Sequence, residues 1–195
     1  MPASANGLKI RILLRETGLA HKEIQLRRDA GENRTPAFVA VSPAGNVPAI
    51  TDAETGAGVF ESAAILIYLA EKAGAYLPDV QPARADVLKW LMFESASLAP
   101  ACENIYQLCY LEYEGVEASL GFQRDKLRNA TALVDAQLAG RDYVAGECSI
   151  ADFAFFPWMN MLEDFAEIPL GQFPNVARWL DTMHARPAVR GALNP

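Results

Sequence analysis

NVPAITDAETGAGVFESAAILIYLAEKAG, residues 46–74, is the stretch that decides the fold of the first half of the chain. NVPAIT has the pattern of a short strand, TDAETGAG that of a turn, and VF that of an antiparallel returning strand. Glu61 and Ser62 then open a helix whose apolar stripe ends at Gly74, a residue suited to the left-handed conformation after a helix. The segment therefore predicts a β-hairpin followed by a helix.

Upstream of the hairpin, the first pattern is helical. In residues 7–17 apolar side chains recur at helical spacing, with Lys9 and other basic residues between them. Asn6 is a candidate N-cap, and Gly18 is a candidate stop. The sequence therefore predicts a first helix that begins just after Asn6.

Between this helix and the hairpin, short extended and helical patterns follow one another. KEIQL, residues 22–26, alternates apolar and polar side chains like a short strand, and AFVAVS has the pattern of a weak helical turn. Strands and helices are thus mixed from the start of the chain to the end of the helix at Gly74. We interpret residues 1–76 as one α/β domain.

The second half of the chain shows helical patterns alone. LPDVQP, residues 77–82, contains two prolines and no periodicity, which is typical of a linker. A long helical pattern follows, and we expect Pro100 to kink it. Later, Ser149 and Asp152 have the spacing of a capping box at a helix start. Residues 83–195 are therefore predicted to form an all-helical domain.

Composition and charge exclude several classes of protein. Of the 195 residues, 51% are hydrophobic and 21% are charged, as in ordinary soluble globular proteins. The net charge is −7 and the 17 Lys and Arg are scattered, which argues against a nucleic-acid partner. No signal peptide or membrane-spanning pattern is recognisable, so a cytoplasmic location and no membrane partner are expected.

Cysteine and histidine usage points away from disulfides and metals. The three cysteines, Cys102, Cys109 and Cys148, are an odd number, which favours reduced thiols over a disulfide framework. We interpret Cys102 and Cys109 as helix-packing residues. With two histidines in the chain and no cluster at ligand spacing, no metal site is expected.

Val47-Pro48 is the first candidate binding element. A proline cannot donate a ladder hydrogen bond, so Pro48 is expected at a strand edge or a turn, where a cis peptide bond is tolerated. The backbone groups of Val47 would then face outward and could bind an extended peptide as an additional strand. The alternative is a strand-edge proline that binds no ligand.

Two helix starts supply further candidates. Ser62 stands where backbone N–H groups favour an anion, and Glu61 beside it could accept a hydrogen bond from a ligand ammonium. Ser4 and Asn6 precede the first helix and could stabilise a ligand thiolate, which is the nucleophilic form of a thiol. The alternative in both cases is that these residues are ordinary helix caps.

In their order along the chain, these elements resemble cytosolic glutathione transferases over nearly the whole sequence. Within that superfamily the likeness is greatest to the bacterial nu-class and Ure2-like branch. It is carried by SANGLKIRILLRETGL, TPAFVAVSPAGNVPAI, VFESAAILIYLAEKAG, SIADFAFFPW and ARPAVRGAL. The resemblance implies a thioredoxin-like α/β N-terminal domain and an all-α C-terminal helical bundle, with two subunits forming a homodimer.

The resemblance also implies a glutathione site and the role of each residue in it. Ser4 and Asn6 would lie beside the glutathione sulfur, Val47 would hold the cysteinyl backbone, and Pro48 would be the cis proline. Glu61 and Ser62 would bind the γ-glutamyl end. Glutathione would be a co-substrate, and the second substrate would be a hydrophobic electrophile or a disulfide. Alternatives are a glutathione-dependent disulfide reductase and a non-catalytic binding or dimerisation module of the same fold.

Two departures from the family pattern carry expectations of their own. Family members have a strand before the first helix, whereas three residues precede Ser4 here, so either the true gene begins upstream or the domain lacks that first strand. Asn46 stands where relatives often have Lys or Arg to meet a glutathione carboxylate. Replacing that charge with an amide should weaken glutathione binding by about 1–2 kcal/mol. For Trp90, Phe93, Tyr106 and Tyr110, helix packing is favoured over lining of a substrate pocket.

Overall fold

The computed structural model describes residues 4–110, with the side chain of Tyr110 excepted, and residues 115–194. The first half of the chain combines helices with a two-stranded sheet, and the helix that follows the sheet packs against it. These elements are α1 (Ala5–Thr17), α2 (Pro36–Val39), β1 (Ala49–Thr51), β2 (Gly58–Phe60) and α3 (Ser62–Ala73). The mixed α/β prediction for this half is confirmed.

The hairpin and the helix after it form as predicted. β1 and β2 are antiparallel, with Ile50 opposite Val59. The turn between them is anchored to α3, because Lys72 Nζ and Tyr68 Oη both donate to Asp52 Oδ2 at 2.6 Å. Gly74 adopts the left-handed conformation that ends α3. The end of the hairpin therefore delivers the chain directly into the start of α3.

The prediction of a strand at residues 22–26 is wrong. No strand forms there, and Ile24 of the alternating pattern is 70% exposed. A strand is stabilised by a hydrogen-bonded neighbour, and no other strand of the described residues pairs with this segment. Glu23 instead binds Arg11 of α1 in an ion pair. The described sheet therefore contains two strands, β1 and β2.

The first helix begins earlier than the sequence predicted. Ser4 is the N-cap, and its Oγ accepts a hydrogen bond from the N–H of Gly7 at 3.4 Å. Asn6, predicted as the cap, is the second residue of α1, because the hydroxyl two residues earlier satisfies the helix start. Gly18 ends α1 in the left-handed conformation, as predicted. The side chain of Asn6 is thereby released for contacts outside its own helix.

The described part of the second half is helical, as predicted. Its helices are α4 (Ala83–Phe93), α5 (Ala99–Tyr110), α6 (Glu117–Gln137), α7 (Ile150–Met159), α8 (Leu162–Ala166), α9 (Pro174–His184) and α10 (Pro187–Leu193). Residues 111–114 of the predicted long helix lie outside the described residues. The domain limits 1–76 and 83–195 stay predictions.

The long helix is interrupted just before Pro100. Residues Glu94–Leu98 form a π-helical turn between α4 and α5. Pro100 has no N–H for the carbonyl four residues earlier, and that carbonyl lies within the widened turn. The predicted irregularity therefore takes the form of a π turn. It places Glu94 in the buried interface with α1.

Both halves pack into one hydrophobic core. α1 contacts α3 in its own half and α7 and α10 in the helical half. Ile12, Leu13 and Phe153 are fully buried in this core. The predicted capping box is present at the start of α7, where Ser149 and Asp152 satisfy each other's backbone N–H groups. In the described ranges, no helix is both long and apolar enough to cross a membrane.

Candidate active site

Asn6 stands at the start of α1 and reaches across to the helical half. Its Nδ2 donates to Oε1 of Glu103, on α5, at 2.8 Å, and its Oδ1 accepts from Ser62 Oγ at 3.5 Å. Ser4, one residue before the helix, is half-buried and is occupied as the N-cap. Asn6 therefore joins the starts of α1 and α3, two elements that the sequence proposed separately.

Glu61 and Ser62 meet the cleft at the start of α3. Glu61 has a φ of 68°, a conformation that costs free energy for a residue with a side chain. Its side chain caps no N–H of the helix. The hydroxyl of Ser62 contacts Asn6 and Lys9. The alternative of ordinary side-chain capping at these two positions therefore has no support in the hydrogen bonds of the described residues.

A buried ion pair that the sequence did not reveal lies beneath this cleft. Lys9 Nζ, on α1, is 2.7 Å from Glu94 Oε1, and the two side chains are 1% and 0% exposed. Burial raises the pKa of the Glu94 carboxyl, and the nearby Lys9 ammonium opposes that rise. Lys9 Nζ also lies 3.5 Å from Ser62 Oγ. A charge pair at the interface of the two halves is thus in contact with the candidate site.

These residues form part of one cavity of about 400 Å³ between the two halves. Asn6, Glu61 and Ser62 provide a polar wall at the starts of α1 and α3. The lining also contains apolar residues, among them Ile67, Met92, Ala99 and Pro100. A polar ligand held on the first wall would therefore have an apolar surface beside it.

Val47 and Pro48 lie outside the walls of this cavity, as do Ser4 and Asn46. The peptide bond between Val47 and Pro48 is cis. Within the described residues the N–H and C=O of Val47 make no hydrogen bond. Val47 is half-buried, whereas the side chain of Asn46 is exposed. The backbone of Val47 is therefore unpaired among the described residues, and its role as a binding edge stays a prediction.

The loop before Val47 is fixed by two buried polar residues that the sequence did not single out. Asn33 Nδ2 donates to the carbonyl of Gly45 at 2.8 Å, and Ser42 Oγ donates to the carbonyl of Asn46 at 2.9 Å. Both partners are backbone carbonyls in an irregular loop, and no local motif predicts such pairs. These bonds position the chain where it enters the hairpin.

The aromatic side chains of α4 pack against the core, as expected. Trp90 and Phe93 contact each other edge to face, with ring centroids 5.6 Å apart, and both contact Phe155 of α7. Tyr106 is 36% exposed. The side chain of Tyr110 lies outside the described residues. In that described part of the chain, no cluster of His, Cys, Asp and Glu could hold a metal ion.

The fold and the cleft together define a class of protein. An α/β half and an all-helical half share one cavity, and the polar wall of that cavity is built from helix starts of the first half. Family models confirm this assignment. Residues 3–72 match the glutathione S-transferase N-terminal domain, and residues 98–187 match the glutathione S-transferase C-terminal domain. The chain belongs to the glutathione S-transferase family.

Individual relatives agree with this assignment. The disulfide-bond oxidoreductase YfcG of Escherichia coli is 30% identical over 96% of this chain and 90% of its own length. A glutathione transferase family member from Pseudomonas fluorescens, crystallised with two glutathione bound, is 35% identical, with a TM-score of 0.92 over 97% of this chain and 88% of that one. Ure2p in complex with glutathione is 30% identical, also with a TM-score of 0.92, over 98% and 95%.

Proposed function

We propose that the chain binds glutathione in the cleft and activates its thiol for transfer to a second substrate. The observation that carries this proposal is the convergence of Asn6, Glu61 and Ser62 on one cavity wall. Membership of the glutathione S-transferase family and the glutathione-bound relatives support it. In this proposal Glu61 and Ser62 bind the γ-glutamyl end, and the backbone of Val47 binds the cysteinyl residue.

The thiol would be activated at the start of α1. The hydroxyl of Ser4 and the amide of Asn6 would donate hydrogen bonds to the sulfur, and the positive end of the α1 dipole would add to them. Each interaction favours the thiolate over the thiol and so lowers the pKa of the bound thiol. Ser4 would have to donate while its oxygen caps Gly7, and a hydroxyl can do both.

Two chemical outcomes fit this site. A thiolate that attacks an electrophilic carbon forms a thioether and expels a leaving group as an anion. A thiolate that attacks a disulfide forms a mixed disulfide and expels one thiolate. The thiolate of a second glutathione then attacks the glutathione sulfur of the mixed disulfide, which forms glutathione disulfide and expels the second thiolate. The similarity to the disulfide-bond oxidoreductase YfcG favours the second outcome. A homodimer in the cytoplasm remains part of the proposal.

Binding and turnover can be tested separately. Calorimetric titration should detect glutathione binding, and thiol transfer should be measured with 1-chloro-2,4-dinitrobenzene and with bis(2-hydroxyethyl) disulfide. Asn6→Ala is expected to reduce turnover by roughly tenfold or more, because a donor to the thiolate is lost. The matched control is Asn129→Ala, at an exposed position on α6.

The outcomes distinguish the alternatives. Turnover of the disulfide without conjugation identifies a glutathione-dependent disulfide reductase. Glutathione binding without either reaction identifies a non-catalytic module of this fold. Unchanged activity in a Ser4→Ala and Asn6→Ala double variant would refute the assignment of the thiol site. Absence of glutathione binding would refute the proposal as a whole.

A further inference from the structure

Lys9 is a buried cation at the wall of the ligand cavity. Its Nζ lies 2.7 Å from Glu94 Oε1, 3.5 Å from Ser62 Oγ and 6.0 Å from the centroid of the Trp158 ring. The side chain is 1% exposed, yet the residue forms part of the cavity lining. An ion pair that served the domain interface alone would not need to contact Ser62.

The contact with Lys9 fixes the direction of the Ser62 hydroxyl. An ammonium group has three N–H donors and no acceptor, so Ser62 Oγ must be the acceptor in this contact. The single O–H of Ser62 then points away from Lys9, toward Asn6 Oδ1 at 3.5 Å and toward the cavity. That hydrogen bond is long, and a stronger acceptor on a ligand can replace it. Ser62 therefore presents a donor to the cavity.

Two features beside Ser62 favour an anionic acceptor there, although the carboxylates of Glu61 and Glu103 also line the cavity. Ser62 is the first residue of α3, where the positive end of the helix dipole lies. The carboxylate partner of Lys9 is turned away into the interface, where Glu94 also accepts a hydrogen bond from Ser95 Oγ. A donor hydroxyl, a buried ammonium and a helix N-terminus thus converge on one side of the cavity.

We propose that Lys9 is a positioning residue that holds the Ser62 hydroxyl as a donor and makes the site selective for a ligand carboxylate at Ser62. The inference deepens the proposed function and rests on it, since the carboxylate concerned is that of the γ-glutamyl group. A purely structural Lys9 makes a different prediction. Loss of either ion-pair partner would then weaken the binding of all ligands to the same extent.

The test measures selectivity rather than affinity alone. Dissociation constants are determined by calorimetry for glutathione and for an analogue in which the γ-glutamyl α-carboxylate is a primary amide. The wild-type protein is expected to prefer glutathione by roughly tenfold or more, the difference between a charge-assisted and a neutral contact. Lys9→Met is expected to reduce this ratio by roughly fivefold to tenfold. Glu94→Gln keeps Lys9 and an acceptor oxygen beside it, and is expected to keep the ratio.

A second variant protects the test against loss of folding. Lys9→Met leaves Glu94 buried without its cation, whereas Lys9→Met with Glu94→Met replaces the pair by apolar side chains, which buried ion pairs often tolerate. The double variant is expected to fold, bind glutathione weakly and show the same reduced ratio as Lys9→Met. Circular dichroism and thermal unfolding report its folding.

The results separate this inference from the proposed function. The role of Lys9 is overturned if the double variant keeps the wild-type ratio of the two dissociation constants. It is also overturned if Lys9→Met and Glu94→Gln reduce that ratio equally. Equal weakening of both ligands in Lys9→Met also overturns it, since selectivity is then unchanged. A wild-type protein that binds neither ligand overturns the proposed function itself.

Discussion

Asn6 Nδ2 donates to Glu103 Oε1 at 2.8 Å, and this hydrogen bond joins two residues that are 97 positions apart in the sequence. The bond orients the amide of Asn6, so that its Nδ2 faces α5 and its Oδ1 faces Ser62. It also places a carboxylate next to the residue proposed to stabilise a thiolate. Because like charges disfavour one another, Glu103 should hold back ionisation of a thiol bound there.

Replacement of Glu103 by Gln should therefore lower the pKa of the bound glutathione thiol. Gln keeps the acceptor oxygen for Asn6 and removes the charge. A unit charge about 4 Å away contributes about 1 kcal/mol in water, or roughly a fivefold change in ionisation. Turnover below the pKa of the thiol should rise by about that factor. The pH profile of kcat/KM and the ultraviolet absorbance of the thiolate measure the effect.

The control for this experiment is Glu117→Gln, which removes an exposed carboxylate at the start of α6. Its pH profile should match that of the wild type, since the change in net charge is the same. A Glu103→Gln variant with a lower rate and an unshifted or raised thiol pKa would contradict the prediction. That result would mean that Glu103 assists the reaction, for example by accepting the thiol proton.

Substitution of Gly45 by Ala should destabilise the loop that precedes Val47. Gly45 has a φ of 68°, and a Cβ there would lie 2.9 Å from the carbonyl oxygen of Asn33 and 2.7 Å from Arg34 Nη1. The crowded carbonyl oxygen belongs to Asn33, whose Nδ2 donates to the Gly45 carbonyl, so we expect relaxation of this contact to disturb that bond. We expect a loss of about 2–3 kcal/mol in the free energy of unfolding, together with weaker glutathione binding.

Gly56→Ala is the matched control, because it isolates the cost of the backbone conformation. Gly56 has a φ of 74°, and a Cβ there would meet no atom within 4 Å. Its loss should be about 1–2 kcal/mol, the cost of the left-handed region alone. Urea unfolding of both variants gives the comparison. Equal losses would show that the crowding around Gly45 relaxes freely.

Features specified by adjacent residues could be predicted from the sequence. The hairpin, the end of α3 at Gly74 and the capping box of Ser149 and Asp152 each depend on neighbouring residues, and each is present. The strand at residues 22–26 required a partner from elsewhere in the chain. Alternation alone could not supply one, because pairing is a non-local interaction.

Much of the polar network of the site escaped prediction for the same reason. Lys9 occupies a position between apolar residues of α1 that sequence periodicity assigns to the polar face, yet it is buried. Its partner Glu94 lies 85 residues later, in the π turn where the sequence predicted only a kink at Pro100. Glu103 lies on a face of α5 that becomes part of the site when the two halves pack together. Local patterns predicted the helix starts that line the cleft. They did not predict the charged residues Lys9, Glu94 and Glu103 beside those helix starts.

Ionisation of Asp152 should make the protein less stable as the pH rises. Asp152 is fully buried at the start of α7, and burial raises its pKa from 3.8 to about 6. Between those pH values the folded state binds more protons than the unfolded state, so the free energy of unfolding falls with rising pH. A difference of about two between the folded-state and unfolded-state pKa corresponds to about 3 kcal/mol in the free energy of unfolding. This contribution is complete below about pH 4 and is lost above about pH 6.

Comparison with Asp152→Asn isolates that contribution, because the other titrating groups are common to both proteins. Asn cannot accept all the hydrogen bonds that Asp152 accepts from Val144, Ser149 and Trp179, so the variant should be less stable throughout. The difference in the free energy of unfolding between the wild type and Asp152→Asn should decrease by about 3 kcal/mol between about pH 4 and about pH 7. Parallel profiles from urea unfolding would refute the raised pKa.

Alkylation of the native protein should label Cys109 well before the other two cysteines. Cys109 is exposed, whereas Cys102 is fully buried. Burial raises the pKa of both the Cys102 and the Cys148 thiols, and the thiolate is the reactive form. Mass spectrometry after treatment with iodoacetamide should show rapid modification of Cys109. Alkylation of the other two cysteines should be slower by roughly tenfold or more. Unfolded protein should be labelled at all three.

The same reagent tests which thiol performs the proposed chemistry. Cys109 is not part of the cavity wall, so the alkylated protein and a Cys109→Ser variant should retain thiol transfer within about twofold. A large loss of turnover in the serine variant would implicate a cysteine of the chain in place of the glutathione sulfur. Retained turnover supports the bound glutathione as the nucleophile, because Cys102 and Cys148 are not part of the cavity lining and burial raises the pKa of both thiols.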